Sequence, residues 1–229
     1  MIDNGWIVLA GLAAGLAAGL AAGLAIDAAA RWYARYPDDS MGRPAAANAR
    51  WAAALTTIAG GAVSAAALAF APGDLLAFTL LLGWLLLALA VIDLKTFLLP
   101  DILNAGVLLL AALMVGMTRA DAWVMHVAGA AIGYGLLWAV ETAYRRLRGH
   151  DGLGRGDAKL LGALGMWVGA PGLAPVLLIA SLSGLLAALV LAWKDGRAVS
   201  GQSAVAFGPW IALGGFAVWL MQLAGAPLP

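Results

Sequence analysis

The stretch LLGALGMWVGAPGLAPVLLIASLSGLLAALVLAW, residues 160–193, runs for 34 positions without a charged side chain. As one straight helix it would be about 50 Å long, against a hydrocarbon core of about 30 Å. It is too apolar to face water and too long for one crossing. Gly169, Pro171, Gly172 and Pro175 punctuate its middle. Membrane helices tolerate such residues, but a tight hairpin there turns the stretch into two shortish spans.

Other uncharged runs cover residues 5–26, 51–73, 75–92, 102–118, 122–140 and 198–229. Each approaches or exceeds the roughly 20 apolar residues a span requires. Of the 229 residues, 64% are hydrophobic and 11% charged, and the mean hydropathy is +0.94. A soluble protein carries roughly 25% charged residues, so a water-soluble enzyme is excluded. A net charge of +1 gives no electrostatic footprint for nucleic acid. Cysteine is absent, which removes disulfides, thiolate zinc sites and cysteine nucleophiles. No Lys or Arg precedes the first run, so it is expected to remain a span rather than act as a cleaved signal.

Charge placement decides between seven spans and eight. With eight, the first loop holds Arg31, Arg35, Arg43 and Arg50, and the third Lys95. The fifth holds Arg145, Arg146, Arg148, Arg155 and Lys159, and the seventh Lys194 and Arg197. These are twelve of the thirteen basic residues; Arg119 alone falls on the other side. The positive-inside rule then places the odd loops in the cytoplasm. The expected fold is all-α: a polytopic membrane bundle of about eight transmembrane helices, one domain over residues 1–229, both termini periplasmic. Gly11, Gly15, Gly19 and Gly23 recur every fourth residue in the first span, a spacing for close helix packing in lipid.

Acids at or within spans are the first candidates for chemistry. Asp93 closes the third run and Asp157 precedes the sixth, both at cytoplasmic span ends. A bundle that joins them gives two carboxylates in a partly dry cleft, sharing a proton and able to activate a water. Each also has a plainer role: Asp93 as a span-ending charge or partner of Lys95, and Asp157 as a helix cap. Gly154 and Gly156 beside Asp157 let a peptide approach closely, or only shape a loop. Pro100 and Asp101 suit the first turn of the fourth helix, and Asp101 is a candidate for orienting substrate. Lys159 either reaches the headgroups or pairs with an acid. Asp27 and Glu141, near Arg31 and Arg145, are expected to be ion-paired. His126 reads as a packing histidine, and His150 as an exposed loop residue. No metalloprotease or serine hydrolase motif is present.

Two signatures resemble those of bacterial type IV prepilin peptidases, the membrane aspartic proteases of the Gly-x-Gly-Asp type that also serve type II secretion. The first is Ile92-Asp93, six residues, then Pro100-Asp101-Ile102-Leu103. The second is Gly154-Arg155-Gly156-Asp157-Ala158-Lys159-Leu160-Leu161, continuing through Ala163, Leu164, Gly165 and Gly169. A weaker third is Phe207-Gly208-Pro209. The resemblance implies that Asp93 and Asp157 form the catalytic dyad. It implies cleavage of the short basic leader of prepilins or pseudopilins after a glycine, just before the substrate's hydrophobic helix, at the cytoplasmic face of the inner membrane. The partners are then those substrates and membrane lipid, with Pro100, Asp101, Gly154, Gly156 and Lys159 on the substrate side.

Longer members of that family carry paired Cys-x-x-Cys zinc motifs in the first loop and methylate the new N-terminus with S-adenosylmethionine. This chain has a short, cysteine-free first loop. Gly23-Leu24-Ala25-Ile26-Asp27 stands where the family has a Gly-Ser-Phe-Leu-Asn-like segment. Proteolysis is expected to need neither zinc nor cofactor, and S-adenosylmethionine enters only if methylation is retained. Competing readings are a proton-coupled transporter, which should place acids near the bilayer midplane, and a non-catalytic assembly subunit. A presenilin-like protease should show Tyr-Asp where this chain has Ile92-Asp93.

Overall fold

The computed structural model describes residues 5–33, 49–148, 154–195 and 206–225. Among these, every regular element is a helix: α1 (Gly5–Tyr33), α2 (Ala49–Phe70), α3 (Gly73–Thr96), α4 (Asp101–Thr118), α5 (Trp123–Arg148), α6 (Arg155–Asp195) and α7 (Gly208–Leu223). Six are long and apolar enough to cross a membrane, and α7 is a shorter apolar helix. The chain is an all-α polytopic membrane bundle. A hydrocarbon surround explains why only helices appear, since each backbone N–H and C=O must find its partner within the chain.

The helices overrun the uncharged runs, chiefly at one end of the bundle. α1 continues past Asp27 to Tyr33, α3 past Asp93 to Thr96, and α5 past Glu141 to Arg148. Charge ends the part of a helix that suits hydrocarbon, but does not end the helix. In the run 198–229, the described residues include the 16 of α7.

The long run containing α6 does turn back on itself. Gly169 is the non-helical residue inside it, at φ 72°, ψ 172°, a region open essentially to glycine alone. α7 reveals the reversal. Its Gly208 lies by Asp93, its Gly215 by Leu164 and its Gln222 by Val168, so it runs parallel to residues 155–168 of α6. After Gly169 the order inverts: Gly172 meets Gln222, Val176 and Ala180 meet Gly214, and Gly184 meets Trp210. The turn frees carbonyls at the end of the first half. Neighbouring helices cap them: His126 Nδ1 from α5 donates to Met166 O (2.8 Å), and Gln222 Nε2 from α7 donates to Val168 O (2.8 Å). His126 is thus the satisfied packing histidine expected from sequence, whereas His150 lies outside the described residues.

Close backbone contact replaces side-chain bulk at two helix pairs. Gly19 and Gly23 of α1 face Gly60 of α2, and Gly129 of α5 faces Gly165 of α6; a Cβ at any of them would strike backbone. The four-residue glycine rhythm therefore serves packing within the bundle. The centre holds Trp167 and Trp219, edge to face with ring centroids 5.2 Å apart. Their indole N–H groups are both used. Trp167 donates to Val107 O of α4 (3.0 Å), and Trp219 donates to the Thr79 hydroxyl of α3 (3.0 Å), which donates to Leu75 O. Two rings thus tie α3, α4, α6 and α7 together with no polar group wasted.

Gly169→Ala should destabilise the protein by about 1–3 kcal/mol, because a Cβ is poorly accommodated at that φ and ψ. A lowered thermal midpoint in detergent micelles is the expected result. An unchanged midpoint would contradict the reversal described here.

Candidate active site

Asp93 sits three residues before the end of α3, and Asp157 is the third residue of α6. Both side chains are buried, at 4% and 7% exposure. They are close enough for their charges to repel one another. Sixty-four positions apart in sequence, they are joined because α3 and the first half of α6 present the same end of the bundle. Lys95 is not Asp93's partner. It reaches Asp27 of α1 instead, at 2.7 Å, so the pairing weighed for Asp93 in the sequence is not formed.

Asp93 is held from the far end of the chain. Its Oδ2 accepts the backbone N–H of Gly208 at 3.1 Å. Gly208 opens α7, so this N–H is one of the donors a helix start leaves free, and a carboxylate suits that end electrostatically. A larger residue would force a shift: a Cβ on Gly208 would lie 2.7 Å from Asp93 Oδ2 and 3.1 Å from Leu99. Leu99 also presses on the other aspartate's helix, since a Cβ on Gly156 would lie 2.8 Å from Leu99 Cβ. One leucine therefore wedges between the starts of α6 and α7. At Asp157, the backbone N–H donates to Gly154 O at 3.1 Å, closing the first turn. Gly154 is exposed beside the carboxylate, and a Cβ there would lie 3.3 Å from Asp157 Oδ2.

The link from α3 to α4 is tight. Phe97 adopts the left-handed conformation (φ 54°, ψ 28°) and its N–H donates to Asp93 O. A bulky residue there is uncommon and strained. Pro100 follows as the cap of α4, its carbonyl accepting Leu103 and Asn104 N–H. Asp101 and Lys159 form an exposed ion pair at 2.7 Å, so both sit at the rim rather than beside the buried carboxylates.

Two further acids are buried at this end. Asp27 pairs with Arg31 and Lys95, and Glu141 with Arg145 at 3.5 Å and Arg155 at 4.0 Å. Both match the ion pairing expected of them, and both do local work. Lys95 stands two residues from Asp93 and Arg155 two from Asp157, so α1 and α5 each anchor the chain beside one aspartate. From those anchors α1 runs six residues on to Tyr33 and α5 seven on to Arg148, about 9–10 Å of helix each. They stand as walls beyond the level of the aspartates.

Two carboxylates so placed are equipped for general acid–base chemistry on a water. Among the described residues no group of three or more His, Asp or Glu is arranged to hold a metal. With no cysteine in the chain, its residues do not fit a cysteine zinc site. At residues 23–27, Gly23 packs on Thr56 and Thr57 and Asp27 is buried beside its cationic partners, while Leu24 and Ala25 are exposed. Sequence reading alone did not identify Gly208 as the donor to Asp93. Its only signal was the short Phe207-Gly208-Pro209 motif.

Fold and site define a multi-pass membrane protein with two aspartates facing each other at one end of a helical bundle. Residues 80–189 match the type IV leader peptidase family. The chain is 43% identical over 153 residues to a prepilin leader peptidase/N-methyltransferase of Dickeya chrysanthemi, covering 66% of this chain and 52% of that protein. It is 42% identical over 167 residues to the protein of that name from Burkholderia pseudomallei (strain K96243), covering 71% and 52%. For the Aeromonas hydrophila protein the identity is 40% over 165 residues, covering 70% and 54%. This chain belongs to the type IV leader peptidase family and is a multi-pass protein of the bacterial inner membrane. It spans about half the length of the curated relatives it matches. No solved structure matches it.

Lys95→Met should leave Asp27 with Arg31 as its only cation and lower stability by about 1–3 kcal/mol. Lys95→Arg should recover most of the loss. Thermal midpoints of the two variants check this, and equal midpoints for wild type and Lys95→Met would contradict it.

Proposed function

We propose that this protein is a membrane aspartic endopeptidase with Asp93 and Asp157 as its catalytic pair. It removes the short basic leader of type IV prepilins or type II secretion pseudopilins, cutting after a glycine at the cytoplasmic membrane face. The observation that carries this reading is the meeting of two buried carboxylates, from separate helices, at one end of the bundle. The substrate class rests on the names of the relatives.

In the proposed reaction one carboxyl is ionised and the other protonated. The ionised group takes a proton from a water as its oxygen bonds to the scissile carbonyl carbon, and the protonated group gives its proton to the carbonyl oxygen. The tetrahedral species then collapses. The C–N bond breaks, the leaving amine receives the proton taken from water, and the hydroxyl returns its proton to the second carboxylate. The Gly208 N–H holds Asp93 in place through the cycle. No step involves zinc or S-adenosylmethionine.

The proposed topology has eight crossings in one domain over residues 1–229, with both termini periplasmic and the site facing the cytoplasm. Support comes from the reversal at Gly169 and from the sequence count in which eight crossings assign twelve of thirteen basic residues to the odd loops. Gly154 would let the substrate strand approach Asp157, and Gly156 makes room for Leu99. At the rim, Pro100 fixes Asp101, which with Lys159 would meet the charged leader. A transporter is disfavoured: the buried acids Asp27, Asp93, Glu141 and Asp157 share one end of the bundle, and among the described residues none lies at mid-span.

The test is cleavage of a purified prepilin or pseudopilin by the reconstituted protein. Asp93→Asn and Asp157→Asn should each retain a wild-type thermal midpoint and lose activity by about 10²–10⁴-fold or more. Full cleavage by either folded variant would sink the catalytic pair. Gly208→Ala should cost about a hundredfold, because its Cβ displaces Asp93. Activity near wild type would show that the contact with Asp93 is dispensable.

A further inference from the structure

α4 turns five buried positions toward its neighbours: Asn104, Val107, Ala111, Met114 and Val115. Four are apolar. Asn104 is 4% exposed, yet neither its side-chain nitrogen nor its side-chain oxygen has a hydrogen-bond partner. Its backbone N–H is satisfied by Pro100, so the unmet need belongs to the side chain alone. Buried amides are nearly always paired, because an unpaired one forfeits its water without compensation. Leucine would fill the same volume without that penalty.

The position of Asn104 is fixed by its neighbours. α4 runs parallel to the first half of α6, with Asp101 beside Lys159 and the Val107 carbonyl on the Trp167 indole. α3 runs antiparallel, and Leu103 packs with Val91 and Ile92, the two residues before Asp93. Asn104 is three residues beyond Asp101, about 4–5 Å deeper along the helix. It therefore lies on the membrane side of the two aspartates, between the helices that carry them.

We infer that Asn104 is a substrate-binding residue whose side-chain amide pairs with a peptide unit on the membrane side of the scissile bond; this rests on the peptidase reading. A peptide must be extended to be cut, and extension within a water-poor site frees backbone N–H and C=O groups that need partners. Asn presents one donor face and one acceptor on a single planar amide, matching the N–H and C=O of an extended strand. In the proposed substrate the apolar helix begins just after the cut. The residues that reach the depth of Asn104 are then those leading into that helix. Asn104 would grip the strand there while Asp93 and Asp157 act one turn nearer the cytoplasm.

Asn104→Leu keeps the volume and removes both polar atoms. It should leave the thermal midpoint equal to or above wild type while lowering kcat/KM on a prepilin by about tenfold to a hundredfold. A synthetic leader–helix peptide with an ester replacing the first or second amide after the scissile bond removes one backbone donor. That change should slow wild type by about tenfold and leave Asn104→Leu no slower than with the amide. The inference is overturned if the variant cleaves within twofold of wild type, or if the ester slows both proteins equally. It is also overturned if the midpoint falls, since that would place a partner for the amide within the fold. Absence of cleavage by wild type would instead overturn the peptidase reading itself. The thermal measurement reads Asn104 independently of activity.

Discussion

A backbone that reverses direction within hydrocarbon must find partners for the carbonyls it exposes, and the rest of this molecule depends on how that is met at Gly169. The glycine supplies a conformation other residues resist, and His126 and Gln222 supply the missing donors from α5 and α7. Without the reversal, α6 would be a 41-residue rod about 60 Å long, and α7 would begin at the wrong end of the bundle. With it, the chain returns to the level of Asp157, and Gly208 arrives beside Asp93. The hydrogen bond between residues 93 and 208 is thus a consequence of a turn at the opposite end of the helices.

The aspartate end is built by the same economy. Asp93 and Asp157 each lie at or against a helix start, where free N–H groups and the helix dipole favour negative charge. Each has a structural ion pair two residues away, Lys95 with Asp27 and Arg155 with Glu141. These pairs spend two buried acids on holding α1 and α5 against the site. Their role explains why four buried carboxylates gather at one end while only two face each other without a cation. Leu99, pressed between the starts of α6 and α7, fixes the spacing with an apolar wedge where a polar one would compete for the carboxylates.

Much of this was legible in the sequence. The helical membrane class followed from the uncharged runs. The turn near residue 169 followed from two glycines and two prolines in an overlong span, and the candidate aspartates from their place at span ends. What was hidden depends on distance along the chain. Lys95 is two residues from Asp93 and 68 from Asp27, and local reading favours the near neighbour. On a helix, however, residues two apart point to different sides, and the true partner comes from another helix. Gly208 was hidden because a backbone N–H leaves no mark in a side-chain pattern. The uncharged runs did not mark the helix ends, since α1 continues past Asp27 and α5 past Glu141.

Those continuations matter for access. α7 and the first half of α6 have 16 and 14 residues, about 24 and 21 Å, short of a hydrocarbon core of about 30 Å. α1 and α5, at 29 and 26 residues, exceed it. Short central helices beside long outer ones leave α1 and α5 extending beyond their ion pairs near the two aspartates. Lipid and protein adjust to such mismatch, but the difference in helix length within one bundle remains. In the proposed reaction, water would reach the aspartates from the solvent side, while an apolar helix arriving from the lipid side would meet the same carboxylates at its end. The proposed cleavage at the border of a substrate's hydrophobic segment needs both approaches, and a pair of short helices among longer ones is suited to them.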